Sequence, residues 1–145
     1  GFAWIRRNLD KAHGRLAIVH NDYNYHNLLV KDDRVTAVLD WEFVHLGNPA
    51  ADVAYFEEVA ERSGGFEQFL AAYEAAGGIR PTQDELDFYI IWAHVRFGIM
   101  CFQSEDGLNQ GKFDDVRNAT SGVNYLRKPM LWIGDRLDAL LARMA

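Results

Sequence analysis

The sequence has little cysteine, no long apolar run and no excess of basic residues, and each shortage excludes a class of protein. The one cysteine, Cys101, permits no internal disulfide, so a reducing, cytoplasmic location is predicted. The longest apolar stretch, residues 88–93, is far too short to span a bilayer, so no membrane partner is expected. With 15 basic and 21 acidic residues the net charge is −6, which argues against binding to nucleic acid.

The remaining composition is that of a globular protein that can bury a core without cross-links. Of the 145 residues, 49% are apolar and 25% are charged, which is typical of one domain over residues 1–145. The chain begins with Gly1 rather than Met and runs directly into helix-like sequence. On that basis we expect a piece of a longer protein.

Apolar spacing and turn residues predict a mostly helical α+β fold, a small β-hairpin backed by five or six helices. Helices are expected at 2–12, from 49 to a stop at 63–65, at 66–76, from 82 to about 101, and in a last region at 114–143. Gly14 is expected to cap the first helix, a short buried strand follows at 16–19, and Pro129 is expected to kink or split the last helical region. Residues 105–111 are predicted to be the loosest part.

Local capping signals support two of these helix starts. Thr82 and Glu85 have the spacing of a capping box directly after Pro81, at the start of the longest helix. Asn48 can cap a helix whose first position is Pro49.

A polar loop between two apolar runs carries the strongest functional signal. An apolar run ends in His20-x-Asp22, and Asn27 closes the loop before the second run begins. Protein-kinase catalytic loops read H-R-D-x-x-x-x-N, in which the Asp orients the attacking hydroxyl and the Asn holds a magnesium ion. The step of five positions from Asp22 to Asn27 is the same. Asp40, after a later strand, matches the second metal ligand of such sites.

The expected hairpin brings these residues together. Runs at 28–30 and 35–39 are short, apolar and β-branched, and a polar turn separates them. A turn centred on that polar segment places Asn27 opposite Val38, so Asn27 and Asp40 both lie at the open end, on strands about 5 Å apart. Since Asp22 precedes the same end, three oxygen-bearing side chains are predicted to converge as Mg²⁺ ligands or neighbours.

Three pieces of sequence, in this order and at these intervals, make a specific pattern. They are His20-x-Asp22-x-x-x-x-Asn27, Leu39-Asp40-Trp41-Glu42 and Leu46-Gly47-x-Pro49-x-x-Asp52. Together they resemble the aminoglycoside phosphotransferase and choline kinase group, small-molecule kinases with a protein-kinase-like fold. The residues of the second and third pieces are most similar to those of the branch fused to, or found beside, acyl-CoA dehydrogenases. The similarity is sharp over about 15–55.

The resemblance implies an ATP- and Mg²⁺-dependent phosphotransferase that acts on a hydroxyl of a small molecule. Asp22 would be the catalytic base or hydroxyl-orienting group, and Asn27 and Asp40 would hold the metal against the ATP phosphates. Glu42 is a further metal-ligand candidate, although it could equally face water.

The resemblance also implies two supporting residues and shows two departures. His20 would brace the loop, and Asp52 would accept hydrogen bonds that hold the loop in place. The family usually has Gly after the first His and often a second His two residues after the Asp, where this chain has Asn21 and Asn24. Neither position is a metal ligand, so the departures bear on substrate detail rather than on the reaction.

A kinase of this type resembles a two-lobed body whose N-terminal lobe supplies a Gly-rich loop and a phosphate-binding Lys. This chain has four lysines, and none of them follows a Gly-rich strand-loop-strand: Lys11, Lys31, Lys112 and Lys128. The chain is therefore predicted to be the C-terminal, catalytic lobe, with its own N-terminal lobe as partner. Alone, it is expected to bind ATP weakly and not to turn it over.

Two other classes of function stay open. His20, Asp22, His26 and Asp40 would suit a metal-dependent hydrolase. A non-catalytic, kinase-like binding module is the other alternative.

The sequence does not identify the molecule that would accept the phosphate. A hydroxyacyl compound, a choline-like molecule, a sugar and an aminoglycoside all remain possible, and the oligomeric state is equally open. Trp92, His94 and Arg96 lie off the apolar stripe of the long helix, where they could line an acceptor pocket or serve in surface or interhelix packing.

Overall fold

The computed structural model describes residues 1–112 and 127–144. Its contacts divide into two compact units. The first, the site unit, is Leu9–Ile90 and contains every residue of the predicted site; the second, the terminal unit, is Gly1–Asn8 with the described residues from Ile91 onward. Two compact units can belong to one folding domain. The single domain expected over residues 1–145 therefore stays a prediction.

The strands of the site unit form two antiparallel pairs. They are β1 (Ala17–Val19), β2 (Leu28–Lys31), β3 (Arg34–Val38) and β4 (His45–Gly47), with β1 paired to β4 and β2 paired to β3. The β2–β3 pair is the predicted hairpin. Asp32 and Asp33 form its turn with φ of +52° and +58°, the left-handed conformations that a two-residue type I′ turn requires and that Asp tolerates.

The register of the hairpin differs from the predicted one. The register shifts between Leu29 and Val30, so Leu28 pairs with Val38 and the prediction that Asn27 opposes Val38 is wrong by one residue. Such a β-bulge inserts an extra residue into one strand. Asn27 instead meets Leu39, whose N–H donates to the Asn27 carbonyl at 2.7 Å.

Of the two strands in the β1–β4 pair, the sequence predicts only β1. The apolar run at 16–19 suggested a buried strand, but Leu16 and Ile18 are exposed and only Val19 is buried. Side chains alternate between the faces of a strand, and this two-stranded sheet leaves one face open. The sequence does not predict β4, because Gly47 within this three-residue strand and Pro49 just after it indicate only a turn.

In the described residues six α-helices accompany these strands, and the predicted mostly helical α+β fold class is confirmed. They are α1 (Phe2–Arg7), α2 (Ala50–Tyr55), α3 (Glu57–Glu61), α4 (Phe66–Ala75), α5 (Gln83–Asn109) and α6 (Arg127–Met144). None of the described helices combines the length and apolarity that crossing a membrane requires. Cys101 is buried on α5, and burial raises the pKa of its thiol.

Two helix ends differ from the expected ones. α1 ends before Asn8, whose side-chain amide donates to the Trp4 carbonyl at 2.8 Å, and a short 3-10 helix (Leu9–Ala12) follows. The predicted helix over 2–12 is therefore broken, because Asn competes for backbone groups. α5 continues to Asn109 through the stretch predicted to be loosest, and Gly107 within it is buried.

The predicted last helical region is described only from residue 127. Residues 113–126, which contain its first part, lie outside the described residues. Pro129 lies in the first turn of α6, where its missing N–H removes no helical hydrogen bond. α6 runs unbroken through Pro129, but the expected kink or split concerns the whole region 114–143, part of which lies outside the described residues, so it stays a prediction.

One carboxylate connects the start of α5 with the start of α2. The predicted capping box is confirmed, since Glu85 Oε2 accepts from Thr82 N at 2.8 Å and Thr82 Oγ1 accepts from Glu85 N at 3.2 Å. Glu85 Oε1 accepts from the buried Asn48 side chain at 2.8 Å, and Asn48 Oδ1 accepts from Ala50 N at 3.0 Å. The capping predicted for Asn48 is also present, with the helix beginning one residue later, at Ala50.

Gly14 is required here by close approach rather than as a helix cap. A Cβ on residue 14 would overlap the Asn48 amide and lie 2.9 Å from Glu85 Oε1. We expect Gly14→Ala to push Asn48 off Glu85 and to lower the free energy of unfolding by about 1–3 kcal/mol. Gly134→Ala is the matched control in α6, where an added Cβ meets no atom within 4 Å. It should raise stability by up to about 1 kcal/mol, measured by chemical denaturation. Equal effects of the two changes would contradict this account.

The same cluster predicts a pH dependence of stability. Burial alone would raise the pKa of the Glu85 carboxyl, but hydrogen bonds from Asn48 and Thr82 outweigh it and hold the pKa below its usual value. A lowered folded-state pKa contributes stability above the unfolded pKa, and this is lost as the pH falls through the folded pKa. Unfolding free energies measured from about pH 6 to 3 should therefore fall less steeply in Glu85→Gln than in the parent chain. Parallel pH curves would refute the assignment.

Candidate active site

The loop that follows β1 is held at its first residues by a carboxylate on α2. His20 N and Asn21 N both donate to Asp52, at 2.8 Å to Oδ2 and 2.6 Å to Oδ1. Burial raises the pKa of the Asp52 carboxyl, and the two backbone hydrogen bonds partly offset that rise. Asp52 thus satisfies two adjacent N–H groups and ties the loop to the first turn of α2.

Both ring nitrogens of the buried His20 are engaged. Nδ1 accepts from Asp22 N at 3.2 Å, so Nε2 carries the proton that it donates to the Leu39 carbonyl at 2.7 Å. The Trp41 ring meets the imidazole edge-on, with centroids 4.6 Å apart. His20 therefore connects the loop with the end of the hairpin.

Asn21 and Asn24, the two departures from the family pattern, each have a backbone reason. Asn21 has φ of +65°, the left-handed region in which Gly is free of strain and Asn is among the better tolerated residues. Asn24 accepts from Tyr25 N at 2.7 Å and caps the 3-10 helix Tyr25–Asn27. At position 21, Asn therefore holds a backbone conformation that Gly would adopt without strain.

Three side chains surround the carboxylate of Asp22, which is 19% exposed. Asn27 Nδ2 donates to Asp22 Oδ2 at 2.9 Å, and also to the Asp22 carbonyl at 2.9 Å. The Tyr55 hydroxyl donates to Oδ1 at 2.8 Å. The His26 imidazole, 62% exposed, has its Nε2 3.5 Å from Oδ2. These contacts hold the carboxylate in one orientation.

Asn27 and Asp40 lie next to each other at the open end of the hairpin. Asn27 is buried, and its carbonyl is bonded to Leu39, the residue before Asp40. Asp40 is exposed and has φ of +62°, an uncommon conformation for a residue other than Gly. Because the Asn27 nitrogen faces Asp22, its amide oxygen is the atom left to bind a cation.

These residues fit a Mg²⁺ site. An amide oxygen from Asn27 and a carboxylate from Asp40 are the hard donors that Mg²⁺ prefers, and two protein ligands leave positions for phosphate oxygens and water. Glu42 lies two residues beyond Asp40, exposed on the 3-10 helix Trp41–Phe43.

The structure disfavours the metal-dependent hydrolase. Among the described residues no group of three or more His, Cys, Asp or Glu side chains could hold a metal ion. In addition, His20 could become a ligand only by giving up one of its two hydrogen bonds. The four residues of that hypothesis therefore do not form a shared metal site.

Tyr55 is a site residue that the sequence reasoning missed. It lies on α2 three residues after Asp52, so the two side chains project from neighbouring positions on one helix face. That spacing was the available signal, but it became meaningful only once Asp52 was known to contact the loop.

The role suggested for Trp92, His94 and Arg96 stays a prediction. All three belong to the terminal unit, on α5, and none of them is buried.

The chain shares its fold and much of its sequence pattern with enzymes that transfer phosphate. The chain is similar to a crystal structure of a thermostable mutant of the aminoglycoside phosphotransferase APH(4)-Ia, with a TM-score of 0.52 and 22% identity. The superposition covers 99% of this chain and 45% of that protein chain. That likeness shows the fold alone. The chain belongs to the Phosphotransferase enzyme family, whose sequence model matches residues 2–89.

Relatives among known proteins carry acyl-CoA dehydrogenase names. Acyl-CoA dehydrogenase family member 11 of Gallus gallus is 26% identical over 133 residues, covering 76% of this chain and 16% of that protein. The probable acyl-CoA dehydrogenase IBR3 of Arabidopsis thaliana is 39% identical over 57 residues, covering 36% and 7%. The chain thus spans less than a fifth of either relative. The predicted resemblance, including its acyl-CoA dehydrogenase branch, is confirmed.

The left-handed backbone at residue 21 yields a test of the loop. Asn21→Gly keeps that conformation without strain, whereas Asn21→Ala retains a Cβ that opposes it and should cost about 1 kcal/mol more than the Gly variant. Chemical denaturation of the two variants, which differ by one methyl group, measures this difference directly. If the Ala variant were as stable as the Gly variant, the strain at this position would be disproved.

Proposed function

We propose that this chain carries the catalytic loop and metal ligands of an ATP- and Mg²⁺-dependent enzyme that transfers the γ-phosphate to a hydroxyl of a small molecule. The proposal rests on the hydrogen bond that the Asn27 amide donates to the Asp22 carboxylate. The Asn27 carbonyl in turn accepts from Leu39 N, so Asn27 lies across the hairpin end from the residue that precedes Asp40. Family membership supports the reaction class.

Asp22 is the group that orients the acceptor hydroxyl and takes its proton. Phosphoryl transfer needs little covalent help from a protein but requires an aligned nucleophile. A carboxylate held by hydrogen bonds from Asn27 and Tyr55 meets that requirement, because its orientation is set before the acceptor arrives.

Asn27 and Asp40 are the residues that hold the metal. When bound, Mg²⁺ supplies charge neutralisation on the ATP phosphates. The Asn27–Asp22 hydrogen bond links metal binding to proton transfer, because the residue that holds the metal also fixes the position of the Asp22 carboxylate.

His20 and Asp52 support the loop rather than take part in proton transfer. His20 is buried with both ring nitrogens bonded, and Asp52 accepts from two backbone N–H groups. Removing either would loosen the loop that carries Asp22 and lower activity indirectly.

We further propose that transfer requires an N-terminal nucleotide-binding lobe that packs on the open face of the β1–β4 sheet. Ile18 and Leu46 form a cross-strand pair on that face, 68% and 71% exposed, and Leu16 beside them is 74% exposed. Adjacent exposed apolar side chains of this size are typical of a surface that another domain covers. The lobe would supply the glycine-rich loop and the phosphate-binding lysine.

The acceptor is a small molecule with a hydroxyl group. The dehydrogenase names of the relatives make a hydroxyacyl compound the first candidate to assay, followed by choline-like, sugar and aminoglycoside acceptors.

The experiment uses this chain joined to such a lobe, assayed with Mg²⁺, ATP and each acceptor class. We expect Asp22→Asn to lower the rate of transfer at least about 100-fold, because the acceptor loses its base, while nucleotide affinity stays nearly unchanged. Asp33→Asn is the matched control: it removes the same charge from the hairpin turn, where Asn tolerates a φ of +58°.

Three results would overturn the proposal in different ways. Phosphoester hydrolysis that needs zinc or manganese but no ATP would favour a hydrolase. ATP binding without transfer to any acceptor would favour a non-catalytic module. Turnover of ATP by residues 1–145 alone would refute the need for a further lobe.

A further inference from the structure

We propose that Tyr55 is a positioning residue that makes Oδ1 of Asp22 the oxygen that receives the acceptor's proton. This inference rests on the proposed function and adds to it a residue on α2, outside the catalytic loop. It starts from the hydrogen bond that the Tyr55 hydroxyl donates to Asp22 Oδ1 at 2.8 Å.

The two oxygens of Asp22 are not equivalent. Each carboxylate oxygen can accept about two hydrogen bonds. Oδ2 accepts from Asn27 Nδ2 at 2.9 Å and has His26 Nε2 beside it at 3.5 Å, so the imidazole occupies its other side. Among the described residues Oδ1 accepts a hydrogen bond from Tyr55 alone, so the position that remains for an acceptor hydroxyl is the second lone pair of Oδ1.

The hydroxyl of Tyr55 is fixed relative to the loop by the helix that bears it. α2 holds the loop backbone through Asp52, and its neighbouring residues Val53 and Ala54 are buried. One short helix therefore sets both the path of the loop and the rotamer of the Asp22 side chain. A phenol suits this task because it is a neutral donor and leaves the carboxylate its negative charge.

In the transfer step the proton passes from the acceptor hydroxyl to Asp22 Oδ1. The acceptor oxygen forms its bond to the γ-phosphorus as the bond from that phosphorus to the bridging oxygen breaks, and ADP leaves with the electron pair of that bond. Tyr55 keeps its own proton throughout. Its contribution is to hold the Asp22 side chain in the rotamer that presents Oδ1 to the acceptor.

Tyr55→Phe removes the hydroxyl and retains the ring. In the protein joined to a nucleotide-binding lobe, kcat should fall about tenfold or more, the cost of one hydrogen bond to a charged group, with KM for Mg²⁺-ATP unchanged. Tyr73→Phe is the matched control, since its ring stacks on Phe69 in α4 and it removes a hydroxyl of the same kind.

A second measurement does not depend on activity. In the isotope-labelled chain, three-bond NMR couplings to the Asp22 carboxyl carbon report the side-chain rotamer. We expect a single rotamer in the parent chain and in Tyr73→Phe, and rotamer-averaged couplings in Tyr55→Phe. A merely structural role for Tyr55 would change the unfolding temperature without averaging these couplings.

The two measurements separate the possible failures. Averaged couplings together with a lower kcat and an unchanged KM for Mg²⁺-ATP support the proposal. A single rotamer in Tyr55→Phe overturns it, whatever the activity, and so does averaging with unchanged kcat. Absence of transfer in the parent protein overturns the proposed function instead, while the couplings still decide whether Tyr55 holds Asp22.

Discussion

The hydrogen bonds from two successive backbone N–H groups to the Asp52 carboxylate are the contact on which the site depends. They fix the chain at the point where β1 ends and the loop begins. A buried N–H left without an acceptor costs about 1–3 kcal/mol, so each of the two bonds has a structural consequence if it is lost. Burial raises the pKa of the Asp52 carboxyl, and the hydrogen bonds from both N–H groups partly offset that rise because they favour the charged form.

From Asp52 the constraint extends in both directions along α2. Toward its N-terminus, Asn48 bonds both Ala50 and Glu85, so the capping box of α5 determines where α2 begins. Toward its C-terminus, Tyr55 reaches the Asp22 carboxylate. The helix is only six residues long and would be unstable by itself, so these contacts at its two ends supply what its own hydrogen bonds cannot.

Features governed by neighbouring residues could be predicted from the sequence, whereas those governed by distant contacts could not. The hairpin and the capping box follow from turn chemistry and side-chain spacing, and the loop from its fixed intervals. The bulge between Leu29 and Val30, the strand β4 and the contact of Tyr55 with Asp22 have no comparable local signature. Each depends on a partner that the fold, rather than the neighbouring sequence, brings into reach.

Two residues of the site have backbone conformations that are rare for residues other than Gly. Among the described residues, four residues other than Gly have positive φ, and two of these form the hairpin turn, where such values are required. The other two, Asn21 and Asp40, directly precede Asp22 and directly follow Leu39. Left-handed backbone costs about 1–2 kcal/mol per residue, and it persists only where surrounding contacts leave no alternative. Those contacts are the Asp52 bonds at Asn21 and the Asn27–Leu39 and His20–Leu39 bonds beside Asp40, so the interactions that hold the loop also maintain the strain.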